Sequence, residues 1–368
     1  MLSKLLLGAL VVAAAPQDPQ ERTERAVRVE THEFEISIPE IRIPDYAIDI
    51  SIPATAFYLD GFEMHFPEID VVVPSFTIEI PDVEYLDWFD GWYDDDVDWG
   101  FQDTELDTTL EVSRGARLEL RNHAGEVVIR TWDRNQVRVK ATYSSDDRVK
   151  IFSSASTLNI KSEARHGHPD AVDYELTVPN WMSADLWGFY TDMSVDGVGN
   201  DVRVETLEGD IEIRNSRGEI YLQSVEGDVV VQRSSGRLAI HNVEGEVNVL
   251  DFEGALVVES IDGDITVEGI TSADVEAKTV DGDIMFEGPI ADGGRYRLTT
   301  HDGDVVVKIP SNANATVSVA TFDGEFEAEF PVQLEGAQAS RKFNFVIGSG
   351  SARLELHTFD GDIQLLRR

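Results

Sequence analysis

The chain has no cysteine. That excludes disulfide staples, thiol catalysis, thiolate-held zinc or iron–sulfur centres, and a lipidated N-terminal Cys. Cations are scarce: 30 Lys and Arg stand against 70 Asp and Glu, a formal net charge of −40 over 368 residues. So large an acidic excess argues against nucleic acid or an anionic membrane surface as partner, because phosphate contacts need clustered cations. Long apolar runs are missing as well. The longest is Leu5–Ala14, short of the roughly 20 residues that a spanning helix needs, so no integral membrane span is expected. The sequence also contains no Gly-x-Ser-x-Gly elbow, Walker loop, HExxH helix or dinucleotide fingerprint, which leaves no motif for the common hydrolase, nucleotide or zinc chemistries.

What is present can still fold. Hydrophobic residues make up 42% of the chain and aromatics 9%, enough apolar side chain to pay for ordering a core. Met1–Ala15 reads as a secretory leader: Lys4, the apolar run, then Ala13–Ala15. Cleavage is expected after Ala14, and loss of Lys4 would take the mature chain to −41 (−40 minus 1). The expected address is extracytoplasmic, in the periplasm or at the cell surface.

Periodicity dominates the rest. Glycines fall nine residues apart at 209, 218, 227, 236, 245, 254 and 263. Alternate members differ: Glu208-Gly209-Asp210, Glu226-Gly227-Asp228, Glu244-Gly245-Glu246 and Asp262-Gly263-Asp264 form one set, and Gly218, Gly236 and Gly254 the other. The repeat is therefore 18 residues, continuing with looser spacing at Gly282, Gly303, Gly324 and Gly361. Around the first set the order is small polar, apolar, acidic, Gly, acidic, apolar, any, apolar, as in Thr279–Phe286. Alternation rich in β-branched residues marks a strand with one buried face, and each acidic-Gly-acidic triplet marks a turn. Equal spacing of equivalent turns predicts an all-β parallel solenoid, or β-helix, of about 18-residue coils, each burying its apolar face on its neighbours. A β-sandwich or meander is the alternative.

Gly125–Ile129, Trp132-Asp133, Val137–Val139, Val172–Pro179 and the recurrent Thr-x-Asp-Gly-Asp-Ile unit at Thr279–Ile284 form one further set of features. Through them, residues 110–368 resemble the secreted bacterial putative adhesin domain family, a domain of unknown function. The stretch covers 259 of the 368 residues. The resemblance implies a β-solenoid outside the cytoplasm and supplies no catalytic residues.

Three segments are expected: a leader over 1–14, an acidic, Pro-punctuated region over 15–107, and the solenoid over 108–368. In the middle segment short alternating runs end on proline, as at Ile36–Pro39, Ile48–Pro53 and Val71–Pro74. Proline lacks the ladder donor and closes such strands. This is an extended, β-like region. Between Arg42 and Arg114 there is no Lys or Arg against 19 acidic residues. Trp88, Trp92, Tyr93 and Trp99 sit there among aspartates; they either cap the open end of the solenoid or form a contact surface.

Two ion readings arise. The turn acids Glu208, Asp210, Glu226, Asp228, Asp262, Asp264, Asp281 and Asp283 are expected to stack as a column able to bind calcium weakly, since calcium takes oxygen ligands. The plain reading is solvated turn chemistry. His166 and His168 with Asp170 could chelate a transition metal, or simply occupy a polar loop. No other cofactor is expected. Because the acids recur in nearly every coil, whereas a catalytic pair is singular, a non-enzymatic envelope or surface protein is the leading reading. Its partner would be an envelope glycan or a surface protein. A polysaccharide-active enzyme and an extracytoplasmic stress-sensing module are the alternatives. An exposed last strand at Phe359–Leu366 would permit end-to-end self-association.

Overall fold

The computed structural model describes residues 49–52, 56–59, 62–65, 69–72, 103–164, 169–330 and 342–368. The chain divides into two compact units, Met1–Thr77 and Ile78–Arg368. In the first, Asp49–Ile52 pairs antiparallel with Ile69–Val72, and Ala56–Leu59 with Phe62–His65. These are short strands of the kind the Pro-punctuated alternation predicts. The leader, Trp88, Trp92, Tyr93, Trp99, His166 and His168 lie outside the described residues.

The second unit is a parallel β-solenoid. Its 24 strands, from Asp103 to Arg367, form one continuous hydrogen-bonded sheet wound into coils. Alternate strands pair, so two faces stack back to back. One face carries the longer strands, such as Val202–Glu208, Arg217–Glu226, Ser235–His241 and Glu253–Glu259, all parallel. The other carries four-residue strands: Ile211–Arg214, Val229–Gln232, Val247–Leu250 and Ile265–Glu268. The partner of Ile211 is Val229, and of Val229 is Val247, an offset of 18. Among the described residues there is no helix, hence none long and apolar enough to cross a membrane.

Alternation decides what is inside. Val229 and Val231 point inward from the short-strand face and meet Leu238 and Ile240 from the long-strand face, all fully buried. Each such side chain is worth roughly 1.5–3 kcal/mol when removed from water. One coil cannot complete that burial alone, which is why the coils stack.

Corners hold the coils in register. At the first corner the repeated glycine has φ of 137° at Gly209 and 141° at Gly227, a region closed to side chains. A Cβ on Gly227 would also strike the backbone carbonyl of Gly209 one coil away. Beside it a row of small polar side chains satisfies carbonyls that face the interior. Thr300 Oγ1 donates toward Gly282 O at 2.9 Å, and Thr358 Oγ1 toward Gly303 O at 2.9 Å. The small polar position of the repeat is thus a buried hydrogen-bond donor between levels at Thr206, Ser224, Asn242, Thr279, Thr300, Thr321 and Thr358, while Ser260 Oγ has no partner among the described residues. At the second corner Asn215, Arg233 and Asp251 take φ near 50°.

Both ends depart from parallel pairing. At the start, Asp103–Glu111 and Gln136–Ser144 pair antiparallel, as do Asp147–Ser153 and Thr157–Ala164. At the far end the chain reorders itself. The strands Arg295–Thr299 and Val305–Ile309 pair with Ala352–His357 and Ile363–Arg367, the last coil of the sequence. That last coil pairs on its other side with Ala315–Ala320 and Phe326–Ala328. The sequence after Ile309 therefore skips one level, turns back through the antiparallel strand Lys342–Ile347, and fills the gap.

This corrects one expectation. The terminal strand is not an exposed edge: Ile363–Arg367 is hydrogen-bonded on both sides, with Phe326–Ala328 outside it, and Lys342–Ile347 takes the outer place on the other face. Spacing along the sequence fixes a coil's length but not which coil it lies against.

Candidate functional site: the carboxylate corner and the long-strand face

At the first corner the acids form two rows with different work. The acids after glycine are tied to the backbone. The Asp228 N–H donates to Asp210 Oδ1 at 2.9 Å, Asp283 N–H to Asp264 Oδ1 at 2.8 Å, and Asp304 N–H to Asp283 Oδ1 at 2.7 Å. The row continues through Asp362 N–H to Asp304 Oδ1 and Glu325 N–H to Asp362 Oδ1, each at 2.7 Å. Each carboxylate thus accepts one N–H from the next level, an interaction strengthened by its charge. Aspartate suits that reach, and where Glu246 replaces it the row of bonds skips a step.

The acids before glycine are stacked in register and exposed. Glu208 faces Glu226, Glu226 faces Glu244, Glu244 faces Asp262, and Asp262 faces Asp281, with levels about 4.8 Å apart. Their side chains enter no hydrogen bond or ion pair among the described residues. Sequence reasoning therefore placed the eight candidate residues at one corner, as found, but as a single column. Four of them, Asp210, Asp228, Asp264 and Asp283, each spend one oxygen on the backbone. Among the described residues, no group of three or more His, Asp or Glu side chains is arranged to hold a metal ion. Asp170 donates its backbone N–H to Asp147 Oδ2 at 2.8 Å, and burial raises the Asp147 carboxyl above its ordinary range.

Next to the acids runs a ridge that carries one partly exposed apolar residue per level: Leu207, Val225, Val243, Ile261 and Val280. At the far end it becomes aromatic. His301 stacks on Phe359 with centroids 4.8 Å apart, and Phe359 on Phe322 at the same distance. At the near end His123, Phe189 and Tyr190 group together, with Phe189 and Tyr190 edge to face at 4.6 Å.

The long-strand face shows two kinds of surface. Toward the far end it carries ordinary exposed ion pairs, such as Arg295–Asp274 at 3.1 Å and Arg297–Glu355 at 3.0 Å, each worth little in water. Toward the near end the side chains are larger and more deeply set. Trp187, Glu205, Gln223, His241 and Glu259 occupy one outward row, level by level. Arg203 and Tyr221 stand in the adjoining row. The Arg203 guanidinium lies 4.5 Å over the Tyr221 ring and pairs with Glu205. The Tyr221 hydroxyl donates to Gln223 Oε1 at 2.9 Å, and burial pushes that phenol upward. Tyr221 and His241 rings are 5.5 Å apart, and His241 Nδ1 lies 3.2 Å from Glu259 Oε2. A small cavity beside this row is lined by Trp187, Gly188, Glu205, Thr206, Leu207 and Gln223. Sequence reasoning missed this patch because outward residues carry no periodicity. The available signal was a departure from pattern: Trp187, Tyr221 and His241 stand at outward positions that elsewhere hold small or charged residues.

Residues 116–366, which make up nearly all of the coiled unit, match a known family model, Toastrack DUF4097. The chain belongs to this family. Toastrack DUF4097 is a domain of unknown function. Among solved structures, a "putative adhesin" from Parabacteroides distasonis is similar at 10% identity, covering 72% of this chain and 97% of that one, with a TM-score of 0.42. A "putative adhesin" from Bacteroides fragilis is similar at 13% identity over 72% and 97%, with a TM-score of 0.34. No curated protein matches the chain.

Proposed function

We propose that this Toastrack protein is a non-enzymatic, extracytoplasmic surface protein of adhesin type, which binds a polymeric partner along the lateral faces of its solenoid. The observation that carries the reading is the vertical register of outward side chains. Each level sets its outward side chains about 4.8 Å beyond the last, so a polymer lying along the axis meets contacts at a regular spacing even where their chemistry differs. Weak contacts in series give useful avidity when the scaffold holds them in place. Acids at the first corner recur with one backbone job at level after level, which is the signature of structural work; catalysis asks for a singular pair. The exposed row before glycine would take a divalent cation such as calcium only loosely, since among the described residues no three of its side chains converge on one point.

The test is retention of the purified mature protein on envelopes isolated from the source cells, with calcium and with EDTA. Saturable retention is expected, reduced but not abolished by EDTA. Absence of retention in both conditions overturns the proposal.

A further inference from the structure

We infer that the Trp187 row on the long-strand face is a binding subsite for a neutral glycan chain lying along the solenoid axis. The inference rests on the surface-binding reading above and names the place and the ligand chemistry.

Three observations carry it. First, Trp187 has an unassigned donor. Trp132 gives its indole N–H to Gln136 O at 2.6 Å and Trp181 to Asn135 Oδ1 at 3.1 Å, whereas Trp187 has no such partner among the described residues. A half-buried tryptophan with its N–H unused suits a ligand that offers both an apolar face and an acceptor. Second, Gln223 is 4% exposed although it faces outward. The Tyr221 hydroxyl holds its Oε1 at 2.9 Å, so the amide is already fixed before any ligand arrives and loses little entropy on binding. Third, the row mixes ring faces with an amide and carboxylates at successive levels. Sugar units ask for this combination, since their C–H faces pack on rings while adjacent hydroxyls both donate and accept.

Other occupants fit less well. An extended peptide would need unpaired backbone to add as a strand, and on this face the strands at Glu205, Gln223 and His241 are hydrogen-bonded on both sides. An anionic polymer would meet a chain of net charge −40.

The experiment repeats the envelope retention with untreated, protease-treated and periodate-treated envelopes, using wild type, Trp187→Ala, Glu205→Gln and Phe152→Ser. Trp187 and Glu205 lie on the outward row, and Phe152 is an exposed residue on the edge strand Asp147–Ser153. Thermal melts establish that each variant folds, and the conservative Glu205→Gln serves if Trp187→Ala does not. The expected result is about a tenfold loss of apparent affinity for Trp187→Ala, a smaller loss for Glu205→Gln, and wild-type retention for Phe152→Ser. Periodate, which cleaves vicinal diols, should abolish retention, and protease should spare it. Native gels containing soluble galactomannan, xyloglucan or hydroxyethylcellulose give the direct probe: retardation by at least one, lost in Trp187→Ala. Retention that survives Trp187→Ala in a folded protein overturns this site and leaves the surface-binding reading standing. Retention destroyed by protease and spared by periodate overturns the glycan and points to a protein partner. No retention at all removes both readings together.

Discussion

The two corners of each coil solve one problem in different ways. Both must reverse the chain within a few residues while the next coil lies in van der Waals contact. At the first corner the backbone takes φ near 140° and the carbonyl of the level below lies against the glycine Cα. Conformation and space both forbid a side chain, so the residue is glycine at every repeated level. At the second corner the reversal passes through φ near 50° at Asn215, Arg233 and Asp251. That region costs an ordinary residue roughly 1–2 kcal/mol but excludes none, and the sequence there drifts. A position that is only strained varies from level to level; one that is also crowded keeps its glycine, as Gly218, Gly236 and Gly254 do three residues further on.

Substitutions at the two corners should therefore separate. The largest effect is expected for Gly227→Ala, which combines the forbidden φ with a collision against Gly209; a loss of about 3 kcal/mol or more should appear in denaturant melts. A cost below about 1 kcal/mol there would mean that the corner is loose and that the comparison fails. Next comes Thr300→Val, which keeps shape but removes the hydroxyl shared between Gly282 O and Asp302 O. It should cost about 1–2 kcal/mol, placing part of the first corner's rigidity in its buried hydroxyls. The smallest effect has the opposite sign: Arg233→Asn at the second corner should stabilise by up to about 1 kcal/mol, because asparagine tolerates the left-handed region better. Destabilisation would show that the Arg233 contact with Asn215 Oδ1 at 3.2 Å outweighs the strain.

Much of this was legible from spacing alone. The 18-residue offset between Val229 and Val247, the glycine turn and the small polar position each follow from a local constraint repeated at a fixed interval. The double role of the acids was not legible, since Glu226 and Asp228 are both acidic residues beside Gly227, and only the direction of the next N–H separates them. The order of the last levels was hidden for a different reason. Gly303 is 21 residues from Gly324 and 58 from Gly361, yet its neighbour in space is Gly361. Either coil presents the same inward pattern to Val305 and Val307, so alternation cannot choose between them. The Trp187 row escaped because nothing periodic governs residues that face solvent.

The inserted last coil also has a consequence for how the molecule is made. Coils up to Ile309 can be added one after another as the chain leaves the ribosome. The next coil, Ala315–Ala328, finds the level it should rest on still vacant, because its occupant, Ala352–Arg367, follows it in the chain. Until that stretch arrives, the outer edge of Arg295–Thr299 and the facing edge of Ala315–Ala320 each lack the strand they pair with, and stand open to a strand from another chain.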